Sequence, residues 1–326
     1  MSPFLKESIL QLTQAEDVFL LERIQSLWSG YGSIARYGLV NSKQAQVVVK
    51  HVQLPQQSQH PRGWNTGLSN ERKKKSYQVE TAWYESYASQ CNDSRIPFCL
   101  GVKAREGEFV MVLEDLSAAG FPKRKQSVSL DQMKVCLSWL ASFHATFLNI
   151  PPTGLWDIGT YWHLDTRPDE LEVMDDLPLK AAASAIDQVL RDCSYQTLVH
   201  GDAKLANFCF SQDGKNVAAV DFQYVGGGCG IKDVAYFFGS CLEDEACRAT
   251  EHELLNHYFN NLSDALEKKQ PHIESNAVEQ AWRELYPYAW ADFHRFLKGW
   301  SPGHWKINSY SEQMTQKVIQ SLNKGA

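Results

Sequence analysis

Short β-prone blocks of apolar residues open this chain, and apolar positions at helical spacing dominate its later part. Ile24 to Trp28 and Ile34 to Val40 predict two strands around the turn Ser29-Gly30-Tyr31-Gly32-Ser33. Gln46 to Leu54 predicts a third, largely buried strand. Val79, Trp83 and Tyr87 give the segment that starts at Ser76 one apolar helical face, and Phe109 to Leu116 is an apolar strand with an acidic end. Ser129-Leu130-Asp131-Gln132 has the form of a capping box, followed by Met133, Leu137, Leu140 and His144 at helical spacing, so His144 is expected in a core. Leu198-Val199 and Val217 to Val220 are β-prone, with turn residues at Gln212 to Asn216, and predict a hairpin-like unit. A glycine-rich turn at 226–230 precedes an apolar helix opened by Asp233, which is expected to accept amide hydrogen bonds at the helix start. The remaining region, 243–326, reads as helical.

One stretch breaks the pattern. Residues 55–75 are rich in Gln, Pro, Gly and Asn and end in Glu71-Arg72-Lys73-Lys74-Lys75, an insertion expected to be a loop with a solvated basic end. Trp64 inside it suggests a partial docking onto something apolar.

The polar residues between the late β-prone segments carry the chemistry. Moving a phosphoryl group to a hydroxyl needs a group that orients the hydroxyl and accepts its proton, together with hard oxygen ligands for magnesium on the phosphates. In His200-Gly201-Asp202-Ala203-Lys204-Leu205-Ala206-Asn207, Asp202 suits the first task. Asn207, with Asp221 of Val220-Asp221-Phe222-Gln223, suits the second, and Lys204 can offset charge on the transferring phosphoryl. Lys50, inside a buried apolar strand, is costly there unless it meets anions.

These motifs resemble the catalytic and metal-binding loops of the protein-kinase-like fold, in its small-molecule branch of aminoglycoside phosphotransferases, choline kinases and ecdysteroid kinase-like proteins. His200-Gly201-Asp202 stands where protein kinases usually carry H-R-D, and Asp221-Phe222-Gln223 stands where D-F-G or D-F-E-like triplets occur. Lys204 is the departure, since the aminoglycoside branch often has histidine there. The resemblance implies an α+β, two-lobed chain: a small antiparallel-sheet lobe over 1–115 with the 55–75 insertion, and a larger, mainly helical lobe over 116–326. It implies ATP and magnesium as cofactors, Asp202 as base, and Asn207 and Asp221 as metal ligands. Lys50 would hold the α and β phosphates beside Glu80, with Glu85 as competitor, and Gly32 and Ser33 would approach phosphate from the glycine turn, although the third glycine is replaced by Ala35. The main chain of Glu114, Asp115 and Leu116 would hold adenine, and Asp233 would brace the catalytic loop.

The acceptor is expected to be a small-molecule alcohol bound by the region after Glu243. There Glu243-Asp244-Glu245 could attract a cation, and Trp282, Tyr286, Tyr288, Trp290, Phe293, Trp300 and Trp305 either wall a pocket or pack as core. A catalytically silent nucleotide-binding protein is the first alternative. A protein kinase is the second, opposed by Gly201 and by a gap between Asp221 and Asp233 too short for an activation loop.

Composition narrows the class further. A formal charge of −6 opposes general nucleic-acid binding, and eight cysteines without a C-x-x-C pair fit a reduced, cytoplasmic protein. The segment Met1 to Glu7 lacks a leader pattern, and the most apolar helix, Val135 to Ile150, is interrupted by Ser138, Ser142 and His144, so no membrane span is expected. These motifs name neither the acceptor nor the oligomeric state.

Overall fold

A computed structural model of the protein describes residues 1–27, 30–53, 67–105 and 107–325. Helix α1 (Pro3–Thr13) is capped by the Ser2 hydroxyl, which accepts from the Leu5 amide. Five strands follow: β1 (Asp17–Ser26), β2 (Gly32–Val40), β3 (Gln46–Gln53), β4 (Cys99–Arg105) and β5 (Glu108–Glu114). They form one antiparallel sheet in the order β1-β2-β3-β5-β4. Alternation assigns its faces. Val47, Val49, Ala35 and Tyr37 pack with Leu5 and Ile9 of α1, whereas Ile34 and Val52 join Leu27, Tyr31 and Tyr77 on the other side.

Helix α2 (Gly67–Ser86) lies against that second side. It begins within the predicted insertion, so the basic run Glu71 to Lys75 is helical rather than a loop, as its strong helix formers favour. Trp64 and the rest of 54–66 lie outside the described residues. Trp83 of α2 stacks on Phe222 with ring centroids 4.7 Å apart and meets Phe143 and Phe147 of α3 (Leu130–Phe147). This aromatic group joins the helix beside the sheet to the helical core. The capping box of α3 is formed at Ser129 and Gln132.

The second part of the chain is mainly helical: α4 (Pro168–Glu172), α5 (Leu177–Arg191), α6 (Ile231–Cys241), α7 (Asp244–Lys269), α8 (Ser275–Trp300) and α9 (Ser309–Gly325). Between α5 and α6 run four short strands, β6 (Thr197–Val199), β7 (Phe208–Phe210), β8 (Val217–Ala219) and β9 (Gly226–Gly228). Their pairing departs from expectation. Val217–Ala219 pairs with Phe208–Phe210 across the 212–216 turn, while Leu198-Val199 pairs with Gly226–Gly228, which is therefore a strand and not a turn. The glycines permit this close packing: a Cβ at Gly226 would stand 2.2 Å from the Trp156 carbonyl oxygen.

Candidate functional site

The loop between β6 and β7 is held from below by buried Asp233 of α6. Its carboxylate accepts the amides of His200 (2.6 Å) and Gly201 (3.0 Å) and faces His144 Nε2 at 3.2 Å. Asp233 thus braces the loop instead of its own helix start. His144 is fully buried and also meets the Tyr258 hydroxyl, as a core support would. Gly201 adopts φ +77°, and a Cβ there would lie 2.1 Å from the Tyr224 carbonyl oxygen and 2.8 Å from the Thr160 amide nitrogen. His200 Nδ1 accepts the Asp202 amide at 3.2 Å, and Nε2 faces the Val220 carbonyl at 3.1 Å, tying this loop to the residue before Asp221.

Asp202 emerges with both oxygens engaged. Oδ2 accepts from Lys204 Nζ (2.8 Å) and Asn207 Nδ2 (3.0 Å), and Oδ1 accepts from the Tyr236 hydroxyl (3.1 Å). Burial pushes its carboxyl above the usual aspartate range, helped by Asp221 and opposed by Lys204. That direction suits a group that must take up a proton. Asn207 Nδ2 also donates to the Asp202 carbonyl, so the amide oxygen is the end of the side chain left for a ligand. A backbone bond from the Val220 amide to the Asn207 carbonyl (3.0 Å) brings Asn207 beside Asp221.

Asp221 has φ +72°, and its side chain is 40% exposed. Burial works against its charge, but Lys50, Lys204 and Lys73 hold its pKa below the ordinary value. A carboxylate and a carboxamide oxygen, completed by water, fit the hard-oxygen preference of magnesium. Among the described residues no group of three His, Cys, Asp or Glu could hold a metal.

Lys50 is buried on β3, with Nζ 2.5 Å from Glu80 of α2 and 3.5 Å from Asp221. Burial disfavours the ammonium, yet the two carboxylates keep its pKa above the ordinary value. Glu85, the competing partner, is exposed. Gly32 and Ser33 begin β2, whose register sets Ile34 opposite Lys50 and Ser33 opposite His51. Ser33 therefore stands on the α1 face, away from Lys50, and lines a cavity of about 470 Å³ with Met1, Tyr37 and His51. At the end of β5 both acidic side chains are occupied: Glu114 pairs with Arg95 (2.7 Å to each oxygen), and Asp115 pairs with Arg36 (2.7 Å) and Gln46. The Leu116 carbonyl accepts the Phe121 amide at 2.8 Å, while the Leu116 amide has no hydrogen-bond partner among the described residues.

Three residues without a predicted role also meet here. Lys73 of α2 donates to Gln223 Oε1 (3.0 Å) and lies 4.7 Å from the Tyr77 ring; burial lowers its pKa to about 8, with Lys50 adding to the effect. Gln223, which also accepts from Ser76 (3.4 Å), is thus a tie between the Asp221 loop and α2. Lys73 lies seven residues before Glu80, two turns along one helix face, so its spacing carried the signal. Tyr236 lies on the inner face of α6, three residues after Asp233, which is again a legible spacing.

Of the aromatic residues expected near the acceptor, Trp282, Tyr286, Trp290 and Phe293 are buried, Phe293 packing directly on Tyr236 at 4.8 Å, whereas exposed Trp305 lies 5.6 Å from Lys306 Nζ. Asp244 in the acidic run pairs with Arg248 and accepts from Ser309. No helix among the described residues is long and apolar enough to cross a membrane.

Comparison with solved structures places the fold. An ethanolamine kinase from Plasmodium vivax superposes with a TM-score of 0.51 at 13% identity, covering 92% of this chain and 83% of that one. A choline kinase from Cryptosporidium parvum Iowa II gives 0.48 at 12% identity, with 94% and 89% covered. A protein described as a putative fructosamine-3-kinase from Haemophilus somnus 129PT gives 0.46 at 14%, with 98% of each chain covered. No curated protein sequence matches significantly. The architecture is α+β and protein-kinase-like. The ecdysteroid kinase-like family matches residues 67–150 and 166–270, more than half of the 326-residue sequence, and the chain belongs to that family.

Proposed function

We propose that this protein is an ATP- and magnesium-dependent phosphotransferase that moves the γ-phosphoryl group to a hydroxyl of a small molecule. The observation that carries the reading is the linking of Lys50, Glu80, Asp202, Asn207 and Asp221 in one connected set of contacts, although they come from β3, α2 and two separate loops. Asp202 orients the acceptor hydroxyl and takes its proton as the new oxygen–phosphorus bond forms and the bond from the γ-phosphorus to the bridging oxygen breaks. Its raised pKa and its fixed hydrogen bonds support that role. Lys204, 2.8 Å from Asp202 and half-exposed, offsets charge on the moving phosphoryl. Asn207 and Asp221 supply the metal ligands, and a bound magnesium would neutralise phosphate charge. Lys50 holds the nucleotide phosphates with Glu80 as its positioning partner, and Lys73 adds a second cation from α2. Gly32 meets phosphate through its main chain, without help from the Ser33 hydroxyl. The main chain at 114–116 receives adenine, with the Leu116 amide as the available donor.

The test is ADP release with magnesium and ATP over a panel of small alcohols, wild type beside Asp202→Asn. Acceptor-dependent turnover that falls by about 100-fold or more in the variant is the expected result. Turnover within tenfold of wild type would remove Asp202 as base. ATP binding with no acceptor-stimulated release would make the chain a silent nucleotide-binding protein.

A further inference from the structure

Lys306 lies in the turn between α8 and α9, next to Asp202 but not among the residues used above. Its backbone is fixed on both sides: its amide donates to His304 Nδ1 (3.2 Å), and its carbonyl accepts from Ser311 Oγ (3.2 Å). The ammonium lies 4.9 Å from the Tyr236 ring centroid, 5.4 Å from Phe293 and 5.6 Å from Trp305. Tyr236 and Phe293 meet edge to face at 4.8 Å, forming two walls of a box, and the half-exposed Trp305 forms a third. Three ring faces around a positive charge are the arrangement that recognises ammonium ligands. Here the occupant belongs to the protein itself.

The ammonium has no hydrogen-bond acceptor and no ion-pair partner within 4.0 Å among the described residues. Burial pulls its pKa down to about 8, opposed first by Asp202 and then by the Cys241 thiol, with Lys204 adding a smaller like-charge effect. Lys50 and Lys73 act instead on Asp221, at the nucleotide side. The two oxygens of Asp202 divide in the same way: Oδ2 faces Lys204 and Asn207, and Oδ1 faces the Tyr236 hydroxyl, whose ring carries Lys306. The unpaired cation therefore belongs to the acceptor side of Asp202. An acceptor oxygen would satisfy it, whereas a second cation would meet like charge in a space already filled.

We infer that Lys306 selects the acceptor: its ammonium occupies the aromatic box beside Asp202, so the site takes uncharged or anionic alcohols that present an oxygen to it, and turns away choline-like cations. This rests on the phosphotransferase reading and narrows it to a substrate class. Lys306 acts by contacting the acceptor away from the reacting hydroxyl, so its effect belongs in KM more than in kcat.

Three small alcohols of similar size separate the charge types: sn-glycerol 3-phosphate, glycerol and choline. For wild type, kcat/KM is expected to be lowest for choline. In Lys306→Met, which keeps an apolar chain against the rings, the ratio of glycerol 3-phosphate to choline should fall at least tenfold, through KM, and Lys306→Arg should restore it. Wild type using choline as well as the other two, or a ratio unchanged within threefold in a Met variant of normal melting temperature, overturns the assignment. Absence of acceptor-stimulated ADP release counts against the phosphotransferase reading alone. Calorimetry on the intact protein with magnesium and a non-hydrolysable ATP analogue then decides the selection. A tenfold loss of glycerol 3-phosphate affinity in the Met variant supports it, and equal affinities in the two proteins, or no binding of glycerol 3-phosphate to wild type, sink it.

Discussion

Replacing Gly201 by alanine tests why this chain carries glycine between His200 and Asp202. The backbone there has φ +77°, a left-handed conformation that costs a residue with a Cβ about 1–2 kcal/mol. The added methyl carbon would also meet the Tyr224 carbonyl oxygen at 2.1 Å and the Thr160 amide nitrogen at 2.8 Å, both main-chain atoms that a rotamer change cannot move. Overpacking of this kind adds about 1–3 kcal/mol. Together these give a loss of about 2–5 kcal/mol, and a chain of 326 residues converts that into a fall in Tm of about 3–7 °C. Relief requires the loop to lift away from 224, and the loop is pinned at Asp233 through the amides of His200 and Gly201. The displacement falls on the next residue, Asp202. Since a misplacement of about 1 Å in a reacting group can cost 100-fold in rate, turnover should drop at least that far while ATP affinity changes little. Differential scanning fluorimetry, ADP-release kinetics and calorimetry measure the three quantities. A Gly201→Ala protein with Tm within 1 °C of wild type and unimpaired turnover would refute the argument that glycine is fixed here by the approach of 160 and 224.

Two further predictions concern buried charge. Lys50→Met and Glu80→Gln should each destabilise the fold by about 3–5 kcal/mol, because each strands a partner held in the 2.5 Å buried pair. The double variant should lose less than the two singles combined, as read by urea denaturation, and additive losses would mean the pair is not coupled. Lys50→Met alone should also weaken ATP binding by tenfold or more in calorimetry. His294 is buried with Nδ1 2.7 Å from Thr315, and burial lowers its pKa to about 4 against an ordinary 6.5. Its folded-state pKa is below the unfolded one, so stability is complete above pH 6.5 and is lost as pH falls toward 4, by about 2–3 kcal/mol near the lower end. His294→Gln should flatten that limb in urea melts run across the window, and an unchanged slope would show that the ring does not stay neutral in the fold.

The residues that carry the proposed chemistry were legible because each violates a local expectation. A lysine within Val47-Val48-Val49-Lys50 has to find anions, and the apolar face at Val79, Trp83 and Tyr87 positioned the helix on which Glu80 meets it. Asp202, Asn207 and Asp221 stood at spacings a turn and a short hairpin can close. The pairing of the short strands was not legible, since β-propensity does not say which partner a three-residue strand takes. Glycines 226–228 read as a turn by composition, whereas in the fold Trp156, Asp157 and Val199 stand against the space their side chains would fill. At Ser33, likewise, composition marks a glycine turn but only the register against His51 shows which face the residue takes. The start of α2 was hidden by its polar composition: residues 67–75 lack the apolar stripe by which a helix is recognised, and the side chains that turn inward there, Arg72 and Lys73, are charged.

Gln223 departs from the D-F-G and D-F-E-like patterns at a position given no metal role in the proposed chemistry. In the fold its amide oxygen receives Lys73 at 3.0 Å and Ser76 at 3.4 Å, while Phe222 before it stacks on Trp83. A glycine at 223 could form neither polar contact, and a glutamate would place a full charge against Lys73, beside a Lys50 already paired with two carboxylates. The neutral acceptor fixes α2 against the Asp221 loop without neutralising Lys73. The contacts of Lys73 and Ser76 with Gln223 and of Trp83 with Phe222 thus tie the helix that carries Glu80 to the loop that carries Asp221, and the acceptor at 223 adds no full negative charge beside Lys73.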